Sequence, residues 1–258
     1  MEYLLNISPC PNDTFMFDAM VNGRIGCGAL QFVTEYYDIE ELNARAVQGV
    51  AHVSKISAAV LPQVNGRYRV LDCGAALGRG NGPLLVRRRG DRSPIRRVAV
   101  PGAHTTAAML MRRLFPEIAD ATPVLFSEIA EAVERGDYDA GVLIHEGRFV
   151  YGRRNLELAA DLGQLWEQRT GLPLPLGLIA VRRDLPEEVQ AQIETTLRRS
   201  IEYAFANPQT SRGYVKEYAR ELEDEVIDKH IAMFVNDFSL SLGDEGRRAV
   251  EMLTGMSI

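Results

Sequence analysis

The sequence has little of what marks several specialised protein classes. Its 258 residues include three cysteines and four histidines, without a C-x-x-C or Cys/His spacing typical of a metal site. The odd number of cysteines and their uneven spacing argue against a disulfide framework and favour reduced thiols. No apolar run approaches the roughly 18 residues that a membrane helix needs, and the N-terminus lacks the basic and apolar regions of a signal peptide. We therefore expect a cytoplasmic protein that does not bind a membrane.

An excess of positive charge is also missing. The 29 basic residues are outnumbered by 35 acidic ones, which leaves a net charge of −6. Such a chain lacks the electrostatic footprint of a nucleic-acid-binding protein. The 46% hydrophobic and 25% charged residues are ordinary for a globular protein and exclude disordered and fibrous classes. At about 150 residues per domain, the length predicts one to two domains.

Apolar runs and helical periodicities alternate along most of the chain. Strand–helix–strand alternation predicts parallel sheets with helices on their faces. Strands are predicted at residues 3–8, 30–35, 52–57, 83–86, 97–100, 123–126, 139–144 and 178–181. Helices are predicted near residues 12–22, 39–48, 58–64, 105–115, 127–136, 184–206, 208–221, 224–235 and 244–254.

Two segments rich in glycine and proline suggest that the chain passes from one lobe to another and returns. The first follows residue 86, after the glycine-rich stretch 74–82, and the second is 172–177. The prediction is a discontinuous α/β lobe of residues 1–86 plus 176–258 around a continuous α/β lobe of residues 87–175. Because ligands of α/β sheets bind at the carboxyl ends of strands, we expect a ligand cleft between the lobes.

Three polar segments lie where a predicted strand gives way to a helix. Asn12, Asp13 and Thr14 follow two prolines that stiffen the loop, and they face the cleft at a helix N-terminus or simply cap it. Lys55-Ile56-Ser57 ends a strand, as ligand contacts or as a solvated lysine and a capping serine. The backbone amides and hydroxyls of Thr105-Thr106-Ala107 suit a carboxylate, although a plain threonine cap fits equally well.

Of the four histidines, His145 is placed where its side chain can reach a cleft, although a lone histidine is more often structural and His52, His104 and His230 compete for the role. It ends a predicted strand, and its unperturbed pKa of about 6.5 suits a general base. His52 lies in a predicted strand, whereas His230 lies in a polar stretch and is expected to be solvated. Glu146 and Arg148 could orient His145 or bind substrate, or they could pair on the surface.

Taken together, these segments resemble the 1,4-dihydroxy-6-naphthoate synthase family of the futalosine route to menaquinone. The likeness covers nearly the whole chain and is carried by a specific set of motifs. They are Ser8-Pro9-Cys10-Pro11-Asn12-Asp13-Thr14-Phe15, Lys55-Ile56-Ser57, Gly74-Ala75-Ala76-Leu77-Gly78-Arg79-Gly80, Val100-Pro101-Gly102-x-His104-Thr105-Thr106-Ala107, Ile144-His145-Glu146-x-Arg148-Phe149 and Arg169-Thr170-Gly171-Leu172-Pro173-Leu174-Pro175-Leu176-Gly177.

The resemblance implies a two-lobed fold like that of type II periplasmic binding proteins, with mixed sheets flanked by helices. It implies a lyase that converts cyclic dehypoxanthine futalosine, a small carboxylate, to 1,4-dihydroxy-6-naphthoate and dihydroxyacetone without a metal or organic cofactor. The family's catalytic base maps onto His145. Its substrate-binding segments map onto Lys55-Ile56-Ser57 and Thr105-Thr106-Ala107.

Three alternatives stay open. Chorismate dehydratase belongs to a sister family with a similar fold, although the Ser8–Phe15 signature favours the synthase. A non-catalytic solute-binding protein would share the fold but needs an export signal. A ligand-sensing regulatory domain would need a DNA-binding segment, which is not evident. The oligomeric state is left open by the sequence.

Overall fold

The alternating pattern is realised as two α/β units, each with its own sheet. The computed structural model describes residues 2–145 and 147–258. Unit 1 comprises Met1–Gly78 and Pro175–Ile258, and unit 2 comprises Arg79–Leu174. The chain thus changes unit after Gly78 and after Leu174, whereas the sequence places these changes after residues 86 and 175. The earlier first change has a physical reason, because strand residues Leu84–Arg88 pair inside the sheet of unit 2.

Unit 1 is built on a six-stranded mixed sheet in the order β2-β1-β3-β11-β4, with β5 paired to β11. The first three strands are mutually parallel, and β11 runs antiparallel to β3 and β4. The carboxyl ends of β1, β2 and β3 therefore meet at one edge. The strands are β1 (Glu2–Ile7), β2 (Gln31–Tyr36), β3 (Val53–Ser57), β4 (Tyr68–Val70), β5 (Ala76–Gly78) and β11 (Leu174–Arg182).

Helices cover the sheet of unit 1 and bury its apolar side chains. Leu5 and Ile7 of β1, Phe17 of α1 and Ile193 and Leu197 of α8 are all fully buried in one cluster. The helices are α1 (Pro11–Val21), α2 (Ile39–Gln48), α3 (Leu61–Val64), α8 (Glu187–Ala206), α9 (Arg212–Tyr218), α10 (Asp224–Phe234), α11 (Asp237–Leu240) and α12 (Gly243–Thr254), with a 3₁₀ turn at Ala58–Val60. No helix of the described chain is long and apolar enough to span a membrane.

Unit 2 has a five-stranded sheet in the order β10-β6-β9-β7-β8. Strands β7, β8 and β9 are parallel, while β6 runs antiparallel to β9 and to β10. The strands are β6 (Leu84–Arg88), β7 (Arg97–Val100), β8 (Asp120–Pro123), β9 (Ala140–Leu143) and β10 (Leu156–Asp161). The helices are α4 (Thr106–Leu114), α5 (Ile129–Arg135), α6 (Gly147–Val150) and α7 (Leu162–Thr170), with a 3₁₀ turn at Tyr151–Arg153.

Several local predictions are wrong. The strand predicted at residues 123–126 lies earlier, at β8 (Asp120–Pro123), because Val98 pairs with Ala121 and Val100 with Pro123. Leu125, beyond the end of β8, is 48% exposed. The glycine-rich stretch 74–82 contains β5, and the proline-rich segment 172–177 already belongs in large part to β11. Residues 147–171, without a predicted element, carry α6, β10 and α7. Cys10, rather than Asn12 or Asp13, is the N-cap residue of α1.

Candidate functional site

In unit 1, predicted site residues gather where the three parallel strands end. β1 leads through Ser8 and two prolines into α1, and Pro11 occupies the first turn, where a missing N–H costs nothing. Asn12, Asp13 and Thr14 are therefore first-turn residues, and all three are buried. The Thr14 hydroxyl donates back to the Cys10 carbonyl at 3.0 Å, so it stabilises the turn of its own helix.

A buried ion pair joins the start of α1 to β3. Lys55 Nζ donates to Asp13 Oδ1 at 2.5 Å, and the two side chains are 6% and 0% exposed. The Asp13 carboxylate also accepts the Asn12 Nδ2–H at 2.8 Å and the Ser8 backbone N–H at 3.1 Å. Buried charges persist only when they are paired and fully hydrogen-bonded. Lys55 is thus an ordered internal cation rather than a solvated lysine.

Ser57 ends β3 and is held by an amide that sequence reasoning missed. Asn43 Oδ1 accepts the Ser57 backbone N–H at 2.8 Å, and Asn43 Nδ2 donates to Ser57 Oγ at 2.9 Å. Because the hydroxyl oxygen acts as acceptor here, its own O–H keeps its capacity to donate. Ile56 lies between the two, and strand alternation directs its fully buried side chain to the opposite face. Asn43 lies next to Leu42 on the apolar stripe of α2. A polar residue at that position was the sequence signal that could have identified Asn43.

In unit 2, two further predicted segments share one sheet edge. β7 and β9 are parallel neighbours, so the segments that follow them start at the same edge. After β7, Thr105 is the N-cap of α4: its Oγ1 accepts the Ala108 N–H at 3.2 Å and donates to the Gly102 carbonyl at 3.0 Å. Thr106 and Ala107 form the first turn, where backbone amides lie beyond the reach of intrahelical acceptors. The predicted cap is confirmed.

His145 follows β9 at that edge in an uncommon backbone conformation. Its φ is +53°, which makes it the one non-glycine residue with positive φ in the described chain. Such a conformation is sterically costly outside glycine and is concentrated at functional sites. The imidazole is half-buried and packs edge-on against the Phe126 ring, with centroids 5.2 Å apart. Glu146, the other candidate for orienting this ring, lies outside the described residues.

Arg148 holds the glycine-rich loop that leads into β6. Its two terminal nitrogens donate to the carbonyls of Gly82 at 2.8 Å and Gly80 at 2.9 Å. Burial lowers the pKa of the guanidinium, although arginine stays protonated in any such site. Leu84 pairs with Leu143 in the antiparallel β6–β9 ladder, so the loop that leads into β6 and the segment that follows β9 lie at the same end of this strand pair.

Gly82 itself has no room for a side chain. A Cβ there would lie 2.2 Å from the Gly163 Cα at the start of α7. Arg148 and this close backbone approach together hold the loop that leads into β6. The predicted residues thus form one group on each unit. In the described chain, no three His, Cys, Asp or Glu side chains converge where a metal ion could sit.

His230 is a functional candidate that the sequence analysis placed wrongly. It is fully buried in α10, not solvated, and its Nε2 lies 3.1 Å from Asn12 Oδ1. The polar appearance of the segment comes from the outer face of α10, whereas Val226, Ile227 and Phe234 share its buried face with His230. The i, i+3, i+4 spacing of apolar residues along that helix would have placed His230 on its buried face.

Comparison with known proteins gives consistent matches over nearly the whole chain. A family described as menaquinone biosynthesis matches residues 3–257. A Thermus thermophilus protein named 1,4-dihydroxy-6-naphtoate synthase is 47% identical over 257 residues, covering 98% of this chain and 93% of that protein. A Streptomyces coelicolor protein of the same name is 42% identical over 252 residues, covering 95% and 89%.

Solved structures agree with the architecture. A crystal structure of an Archaeoglobus fulgidus protein is 35% identical with a TM-score of 0.90, covering 98% of this chain and 95% of that one. A Candida albicans gene product, described as having the generic periplasmic binding protein fold, gives a TM-score of 0.71 at 12% identity and covers 100% and 92%. At that identity the likeness concerns the fold alone, and it confirms the predicted fold class of mixed α/β sheets flanked by helices.

Proposed function

The chain belongs to the menaquinone-biosynthesis family, and from this premise we propose that it forms 1,4-dihydroxy-6-naphthoate as a carbon–carbon lyase. The substrate is cyclic dehypoxanthine futalosine, and the second product is dihydroxyacetone. The observation that carries the proposal is the 47% and 42% identity to two proteins named for this product, each covering at least 95% of the chain. A cytoplasmic location belongs to the same proposal, and it is supported by the lack of any disulfide in the described chain.

His145 is the general base of the proposed reaction. Breaking a carbon–carbon bond to leave an aromatic diol requires that protons leave the substrate. A neutral imidazole near pH 7 accepts a proton without a metal. The strained, half-buried position of His145 at the edge shared with Thr105 supports this role, because the surrounding loop holds the ring in place.

The carboxylate of the substrate binds at the start of α4. The amides of Thr106 and Ala107 and the positive end of the helix dipole favour an anion there. Anchoring the carboxylate on the same edge orients the reacting end toward His145, and such orientation supplies several kcal/mol of barrier reduction. In unit 1, we propose Lys55-Ile56-Ser57 as a further substrate-binding segment, in which Lys55 and Ser57 share one face of β3 and Ile56 packs on the other.

Asn12, Asp13, Thr14 and Arg148 complete the proposed binding residues. Their contacts suggest how each acts. Asp13 accepts a hydrogen bond from Lys55, Asn12 donates to Asp13, and Thr14 stabilises the first turn of α1. Arg148 supports the Gly80–Gly82 loop that leads into β6.

The test is turnover of cyclic dehypoxanthine futalosine by the purified chain, with both products followed by chromatography and mass spectrometry. His145→Ala should lower kcat by about 10²–10⁴-fold while the protein stays folded. His52→Asn is the matched control and should keep near wild-type turnover, because His52 precedes β3, at the end of that strand away from Lys55 and Ser57.

Each failure has a distinct meaning. A wild-type chain that leaves the cyclic substrate intact refutes the proposed reaction, and dehydration of chorismate by the same preparation would favour the sister activity. If folded His145→Ala turns over like the wild type, His145 is not the base.

A further inference from the structure

Four polar side chains form one buried line of hydrogen bonds in unit 1. His230 Nε2 lies 3.1 Å from Asn12 Oδ1, Asn12 Nδ2 lies 2.8 Å from Asp13 Oδ1, and the same oxygen lies 2.5 Å from Lys55 Nζ. All four residues are at most 5% exposed. The line joins α10 to β3, although its ends are 175 positions apart in sequence (230 − 55).

The direction of each hydrogen bond follows from chemistry. An ionised carboxylate only accepts, so the Asn12 amide must present its Nδ2–H to Asp13. The amide oxygen then faces His230 as an acceptor, and the imidazole must donate from Nε2. If the amide turned over, its oxygen would face the Asp13 carboxylate. Both neighbours of Asn12 therefore favour the same amide orientation: the Asp13 carboxylate accepts from Nδ2, and the His230 Nε2–H donates to Oδ1.

We infer that His230 is a positioning residue that acts through Asn12 and Asp13 on the ammonium of Lys55. The inference rests on the proposed function, in which Lys55 binds the substrate. Asp13 Oδ1 receives both the Asn12 amide and Lys55, so loss of the amide donor changes the orientation of the carboxylate and with it the position of the ammonium.

The packing around this line supports a positioning role. The His230 ring packs against Phe234 at 4.7 Å between centroids, on an otherwise apolar buried face. A polar ring in such a place costs stability unless it is hydrogen-bonded, so packing alone would favour an apolar residue. At the other end, a Cβ on Gly177 would lie 2.5 Å from Lys55 Cε, so the missing side chain on β11 makes room for the lysine.

The test compares His230→Phe with His230→Gln. Phenylalanine keeps the ring but has no donor, whereas the glutamine amide can place an N–H near the Nε2 position. We expect His230→Phe to raise KM by about 10–100-fold, with a smaller change in kcat, because displacements near 1 Å cost up to about 10²-fold. His230→Gln should recover KM to within about threefold of wild type. Phe234→Leu, which alters the same packing but no hydrogen bond of the line, should lower the melting temperature and leave KM unchanged.

A double variant shows whether the effect passes through Asn12. If it does, Asn12→Leu combined with His230→Phe should bind substrate no more weakly than Asn12→Leu alone, since coupled residues are non-additive. Additive losses would overturn the inference, as would equal KM values for folded His230→Phe and wild type. If His230→Phe does not fold, His230→Asn takes its place, because its amide is too short to reach Asn12.

Crystal structures of the variants separate this inference from the proposed function. Lys55 Nζ should move away from Asp13 in His230→Phe and return in His230→Gln. This readout needs no substrate. A wild type without lyase activity refutes the proposed function only, whereas an unmoved Lys55 in His230→Phe refutes the positioning role.

Discussion

Replacing Lys55 by methionine tests whether the ion pair with Asp13 is a true buried charge pair. The change keeps the apolar stem of the side chain but removes the ammonium from a carboxylate that is fully buried. Removing one partner of a buried pair costs about 3–5 kcal/mol, because the other charge is left uncompensated. Asp13 would keep two donors, Ser8 N–H and Asn12 Nδ2–H. We therefore expect the lower end, about 3 kcal/mol.

The assay is urea and thermal unfolding at pH 7. For a chain of this size, about 3 kcal/mol corresponds to a fall in melting temperature of about 6–12 °C. The double variant Lys55→Met/Asp13→Asn removes both charges, so it should recover more than half of the lost stability while substrate binding stays impaired. If the double variant regains stability but not substrate binding, the Lys55–Asp13 ion pair serves function rather than folding.

Lys229→Met is the matched control. Lys229 Nζ contacts Glu225 at 2.6 Å, a distance close to that of the buried pair, but both side chains are more than half exposed. Exposed i, i+4 pairs contribute about 0.3–0.5 kcal/mol. The reasoning is refuted if Lys55→Met costs less than about 1 kcal/mol, or if the double variant is no more stable than the single one.

Three further predictions concern other parts of the chain. Thr106→Val keeps the backbone amide but removes a hydroxyl, so affinity for 1,4-dihydroxy-6-naphthoate measured by calorimetry should fall about tenfold or more; unchanged affinity argues against a contact between the Thr106 hydroxyl and the carboxylate. Arg148→Lys loses the planar guanidinium that donates to two carbonyls, so we expect a lower melting temperature and faster proteolysis near Gly82. A cleavage rate equal to that of the wild type would contradict this prediction. Burial, with help from Arg182, lowers the pKa of His52, whose Nδ1 accepts the Leu4 N–H at 2.8 Å. The contribution of the neutral His52 to stability is therefore complete above about pH 6.5 and is lost as pH falls through the lower pKa of the folded state. His52→Asn should therefore flatten the decline in melting temperature between pH 7.5 and 5. An unchanged dependence of melting temperature on pH counts against this assignment.

Local signals in the sequence determined much of the secondary structure. The stripe of Ile39, Leu42 and Ala46 followed by Gly49 predicted α2, and Gly49 is its left-handed C-cap. A cap at Thr105 was one of two roles that the sequence allowed, because a short hydroxyl side chain before an apolar helix reaches the amide three residues on. Such features depend on neighbours within one helical turn, so the sequence contains all the information that they need.

Only the tertiary structure decided which residues meet. Residues 120–126 contain several possible strands, and pairing with β7 selected the first four. The chemistry of Lys55 changed from a solvated cation to a buried one because α1 places Asp13 over β3, 42 positions away in sequence (55 − 13). His230 became part of the same line because α10 turns its apolar face inward and carries the histidine with it. The periodicity of a helix indicates which of its faces is buried, but the residues that meet that face come from segments far apart in sequence, and no local pattern records which they are.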